Sequence, residues 1–106
     1  FIVDDNNIYT PPLSEGCVAG VMRRWMLEKF DLEKYHVSEK KLSINDVYGA
    51  DEFFLTNPVS YLSWVQKFRD KNYNNEKIKE IYNQIIKTIK FFISKFKLKI
   101  GILRNT

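Results

Sequence analysis

The 106-residue sequence holds one cysteine, Cys17, and one histidine, His36. A disulfide needs a second thiol and a structural zinc site needs about four ligands, so the sequence argues against both, and Cys17 reads as a reduced, packed thiol. No apolar run approaches the roughly 18 residues that suggest a membrane span. No secretory leader pattern is found either, and a cytoplasmic location is the expectation. There is no internal repeat and no low-complexity linker. The chain opens Phe1-Ile2-Val3 without a methionine. An aromatic and β-branched run at the first residue reads as a strand already under way, so the start reads as cut.

What is present describes a globular domain. Hydrophobic residues make up 44% of the chain and aromatics 15%, while 28% are charged, a composition that supports one modest core and not two. The formal charge of +4 is unevenly spread: Lys87, Lys90, Lys95, Lys97, Lys99 and Arg104 fall in a stretch without a single acid. The remainder is slightly acidic, so most of the basicity belongs to the tail and need not describe a nucleic-acid groove.

Along the chain, Phe1 to Val3 and Ile8 to Thr10 flank "DDNN", which predicts a hairpin. "TPPL" follows as a rigid extended crossing, because Pro11 and Pro12 restrict themselves and the residue before each. From Ala19 to about Phe30, Val21, Trp25, Met26 and Phe30 fall near helical spacing. "KYHVSE" predicts a half-buried strand containing a structural His36. "LSINDVYGADE" predicts a short helix with Ser43 as N-cap, Asp46 at the capping-box position and Gly49 at its end. "EFFLTN" reads as an apolar strand stopped by Asn57 and Pro58, and "SYLSWVQKF" as a second strand, with "RDKNYNN" a turn-rich connector. From Glu76, the spacing of Ile78, Ile81, Tyr82, Ile85, Ile86, Ile89 and Phe92 or Ile93 predicts a long amphipathic helix, packed on its own domain up to about Ile89.

Two local segments frame the functional reading. "GCVAGVMRRWMLEKF" places Arg23 and Arg24 near the start of a helix, where the macrodipole is already positive. Free N–H groups at such a start form an anion site without a special side chain, and Gly20 lets a ligand approach the backbone. "ADEFFLTN" reads as a core strand with a polar end. Asp51 and Glu52 are more naturally structural than a catalytic pair, since acid–base work needs a carboxylate aimed into a pocket with a shifted pKa. One of them is the expected partner of Arg23.

In order and spacing, "TPPLSEGCVAGVMRR" and "VSEKKLSINDVYGADEFFLTN" resemble the C-terminal part of class IV aminotransferases, fold type IV enzymes that use pyridoxal 5'-phosphate. The likeness runs from Phe1 to about Tyr73. It implies a mixed α/β fold, a partial C-terminal domain of strands with a phosphate-binding helix followed by a long C-terminal helix. Residues 1–73 would form the cofactor-binding part and residues 74–106 the amphipathic helix and basic tail. It also implies that the amides of Gly20, Val21 and Met22 hold the cofactor phosphate, with Asn57 and Thr56 as a second phosphate candidate.

The sequence departs from the aminotransferase pattern at Met22 and Pro58, where threonines are usual. A methionine in the glycine turn and an asparagine ending the later strand both resemble the lyase members. The resemblance therefore points first to 4-amino-4-deoxychorismate lyase, which releases pyruvate and 4-aminobenzoate in folate synthesis. An aminotransferase of branched-chain or D-amino-acid type, moving an amino group between an amino acid and a 2-oxo acid, is the alternative. The family's cofactor-bearing lysine lies upstream of the matched region, so no catalytic residue is carried over and these 106 residues alone are expected to be inactive. Small-molecule substrates and a homodimer of the intact enzyme are implied, with no nucleic-acid or membrane partner. A further alternative is a non-catalytic module that binds a partner through the basic C-terminal helix.

Overall fold

The computed structural model describes residues 1–16, 20–30, 33–57 and 60–104, except for the side chains of 92–104. Cys17 and Pro58 lie outside the described residues.

The hairpin forms as its pattern dictates. β1 (Ile2–Asp4) and β2 (Asn7–Thr10) pair antiparallel with Val3 opposite Ile8, and Asp5 adopts φ 55° in the turn between them, a conformation that Asp tolerates better than bulky residues. After Pro12 a single 3-10 turn, Leu13–Glu15, closes on Gly16 at φ 85°. This turn was not expected from the sequence. α1 (Val21–Lys29) follows, with Gly20 as its N-cap.

β3 (His36–Glu39) lies parallel to β2, and β4 (Glu52–Asn57) pairs antiparallel with β1 on its other side. β5 (Tyr61–Trp64) completes a five-stranded sheet of order β3-β2-β1-β4-β5. The second strand read from "SYLSWVQKF" therefore stops at Trp64. Its last residues form β6 (Lys67–Phe68), which pairs with β7 (Lys71–Asn72) inside the supposed connector. His36 is exposed rather than half-buried, because Tyr35 and Val37 take the inward positions of that segment.

Between β3 and β4, α2 (Ile44–Gly49) starts on the expected capping box. The Ser43 hydroxyl accepts from the Asp46 amide at 3.1 Å, and Asp46 Oδ2 accepts from the Ser43 amide at 2.8 Å. α3 (Glu76–Arg104) is one continuous helix.

Strand alternation sorts the side chains onto two faces. Val3, Ile8, Phe54 and Leu62 meet Met26 of α1 and Ile78, Ile81 and Ile85 of α3 in the main core, with Ile89 packed at its margin. On the opposite face Ile2, Tyr9 and Phe53 meet Ala50, Val47, Phe68 and Tyr73. α3 is seated by Glu52, which is 2% exposed and accepts from the amides of Lys77 at 3.0 Å and Ile78 at 2.8 Å. These two donors have no partner inside the helix, so the buried carboxylate serves as their cap and not as a catalytic acid. Asp51 is likewise engaged: its Oδ2 accepts from the Asp5 amide at 2.9 Å and pairs with Lys77 Nζ at 3.0 Å. These contacts hold its carboxyl below the usual range, the Asp5 amide contributing most and Lys77 next.

Candidate functional site

At one end of the sheet, the start of β1, the end of β2 and the end of β4 lie side by side. α1 begins there, because Pro11 and Pro12 carry the chain off β2 in extended form. An open cleft of about 1070 Å³ occupies this corner. Gly20, Val21 and Met22 line one side of it, and Thr56 and Asn57 line another, so the two groups singled out in the sequence share one cavity. Phe1, Phe53, Leu55 and Tyr61 contribute apolar wall. Among the described residues, Arg23 is the one charged side chain of the lining, and no acid takes part.

No side chain caps Gly20 among the described residues. The first intrahelical bond runs from the Arg24 amide to Gly20 O at 3.1 Å, so the amides of Val21, Met22 and Arg23 have no partner within the helix. α1 carries no acid in its first turn. A Cβ added to Gly20 would meet nothing within 4 Å, so the space beside this backbone is open. Val21 is 83% exposed, an unusual position for a valine at the rim of a core helix.

Arg23 departs from expectation. It is 8% exposed, and its Nη2 donates to Pro11 O at 3.0 Å and pairs with Glu39 Oε2 at 3.1 Å. Asp51 and Glu52 are committed to the start of α3, and the parallel pairing of β3 with β2 brings Glu39 to α1 instead. The guanidinium thereby ties the first turn of the helix to the proline segment and to β3. Its Nε is buried without a hydrogen-bond partner. Arg24 pairs with Glu28 on the surface at 3.1 Å.

On the strand side, the Asn57 amide is engaged in the β4–β5 hairpin: Nδ2 donates to Ser60 Oγ at 2.8 Å, and Oδ1 accepts from the Ser60 amide at 2.8 Å. Thr56 is half-buried beside it. The sequence reading missed Tyr61, which sits at φ 65° on the cleft wall. No local signal marked it, since neither glycine nor asparagine stands at that left-handed position. Among the described residues there is no cluster of His, Cys, Asp and Glu able to hold a metal, and no helix is long and apolar enough to cross a membrane.

The profile of the amino-transferase class IV family matches residues 1–68, and the chain belongs to that family. Among its relatives, a protein of Methanocaldococcus jannaschii that carries the provisional name branched-chain-amino-acid aminotransferase is 27% identical over 100 residues, covering 94% of this chain and 35% of that protein. The aminodeoxychorismate lyase of Vibrio harveyi is 39% identical over 69 residues, covering 59% of this chain and 26% of that enzyme. The chain thus spans about a third or less of the length of these relatives. No solved structure matches it significantly.

Proposed function

We propose that this chain supplies the cofactor-phosphate part of a pyridoxal 5'-phosphate enzyme that releases pyruvate from aminodeoxychorismate to give 4-aminobenzoate. The observation that supports the reading is the convergence of Gly20, Val21 and Met22 with Thr56 and Asn57 on one acid-free cleft. The residues suit the group: helix-start amides without an intrahelical partner favour a phosphate dianion, and the open space beside Gly20 admits one. In this reading the amides of Val21 and Met22 hold the phosphate, Thr56 adds a contact, Asn57 shapes that edge of the cleft through its hydrogen bonds to Ser60, and Arg23 holds the helix start in place. Bound there, the cofactor serves as an electron sink for bonds broken at the substrate carbon beside its nitrogen.

The lyase reading draws on the 39% identity to the Vibrio harveyi enzyme together with Met22 and Asn57. Amino transfer between an amino acid and a 2-oxo acid is the second reading, favoured by the longer match, 94% of the chain, to the Methanocaldococcus jannaschii protein. The 106 residues alone are expected to turn over neither substrate.

Titration of the isotopically labelled chain with pyridoxal 5'-phosphate, followed by amide NMR, tests the cofactor assignment. Shifts centred on residues 20–24 and 56–57 are expected. Shifts confined to surface lysines, or none, would refute it.

A further inference from the structure

Tyr61 opens β5 at φ 65°, and the amide that follows it, that of Leu62, donates to Ser60 O at 2.7 Å. A hydrogen bond closed across one residue of positive φ is the rare and strained form of the γ-turn. A bulky aromatic side chain in that conformation is an outlier, whereas glycine adopts it without steric cost. The hairpin itself therefore does not require a tyrosine here, and backbone strain of this kind gathers at ligand sites. Tyr61 is half-buried and packs at the margin of the main core while forming part of the cleft wall with Met22, Leu55 and Thr56. Its hydroxyl makes no hydrogen bond among the described residues. Arg23 Nε is the one fully buried side-chain polar atom there without a partner, so the phenol oxygen keeps some solvent contact.

We infer that Tyr61 contacts the substrate and selects its class: an unsaturated six-membered ring bearing a carboxyl group, the ring against the apolar wall and the carboxylate hydrogen-bonded to the phenol. The inference rests on the lyase reading of the cleft. A branched aliphatic 2-oxo acid also offers the phenol a carboxylate, so the discrimination comes from the ring, which stacks on the tyrosine and the apolar wall as an aliphatic chain does not.

The test titrates the 106-residue chain and its Tyr61→Phe and Tyr61→Gly variants with 4-aminobenzoate, 4-methyl-2-oxopentanoate and pyridoxal 5'-phosphate separately, reading amide shifts. 4-Aminobenzoate is expected to move residues around Tyr61 and to bind about 2- to 10-fold more weakly to Tyr61→Phe, the range of one hydrogen bond. A larger loss is expected for Tyr61→Gly, which removes the ring as well. Pyridoxal phosphate is expected to shift residues 20–24 equally in all three proteins. Equal 4-aminobenzoate binding by the wild type and Tyr61→Phe, preference for the aliphatic acid, or no binding of the ring compound overturns the inference and leaves the cofactor reading intact. Absence of the pyridoxal phosphate shifts overturns the cofactor reading instead. If Tyr61→Gly fails to fold, Tyr61→Phe still decides.

Discussion

Replacing Gly20 by aspartate should move stability and anion binding in opposite directions. The N-cap position has φ −77° and ψ 153°, an extended conformation that aspartate adopts readily, and an added Cβ would meet no atom within 4 Å. The new carboxylate would accept from first-turn amides that have no partner within the helix. Exchange of glycine for aspartate at an N-cap is worth a few tenths of a kcal/mol, and a negative charge at a helix start adds about 0.3–1 kcal/mol. Together these predict a gain of about 0.5–1.3 kcal/mol, or about 2–10 °C in Tm for a domain of this size. Phosphate should do the same for the wild type, stabilising it by about 1.4 kcal/mol at ten times its Kd, but should do little for the variant, whose site already holds an anion of its own. Thermal unfolding by circular dichroism in a phosphate-free, low-salt buffer, repeated with added pyridoxal 5'-phosphate, measures both effects. A variant that melts below the wild type, or that gains as much from the ligand, would refute the assignment of this helix start as the anion site.

Two further outcomes follow from the anchoring of α3. Glu52→Ala leaves the buried amides of Lys77 and Ile78 without acceptors and should cost about 2–4 kcal/mol, judged from hydrogen bonds to a charged group; urea unfolding checks this, and a loss under about 0.5 kcal/mol would contradict the capping role. The Asp51 carboxyl is held below its ordinary value of 3.8, so its contribution is present above that pH and is lost as the pH falls through the folded value. Asp51→Asn should therefore lower stability at pH 6 and flatten the acid limb of the stability profile, whereas parallel wild-type and variant curves down to pH 2 would exclude the linkage.

Local chemistry was legible where it is local. The Ser43–Asp46 capping box, the hairpin around Asp5 and Asn6, and the isoleucine stripe of α3 each depend on residues within a few positions of one another, and each formed where the pattern put it. The partner of Arg23 was not legible. Glu39 becomes its neighbour only because β3 runs parallel to β2, in a register that sets Thr10 opposite Glu39, and no window around Arg23 contains that fact. The same holds for Glu52, whose role depends on the return of α3 to the sheet some 25 residues later in the chain. Tyr61 was hidden for the opposite reason: it breaks the local rule that reserves left-handed positions for glycine or asparagine, so propensity pointed away from it.

The electrostatics of α1 bear on the proposal that the cleft takes an anion. Arg23 stands in the first turn, where the helix dipole opposes a cation, and it is buried, which opposes any charge. Glu39 offsets part of this at 3.1 Å, but that carboxylate is itself about half exposed, so solvent screens the pair. The Pro11 carbonyl engages the same Nη2 atom, and Nε has no partner. A positive charge, a positive helix end and three amides without intrahelical partners thus belong to residues that border a cleft in which no described side chain carries negative charge. A bound phosphoryl group would satisfy the amides and lower the cost of the buried guanidinium in one step. The two terms reinforce each other, because the guanidinium fixes the helix start whose amides the anion would meet.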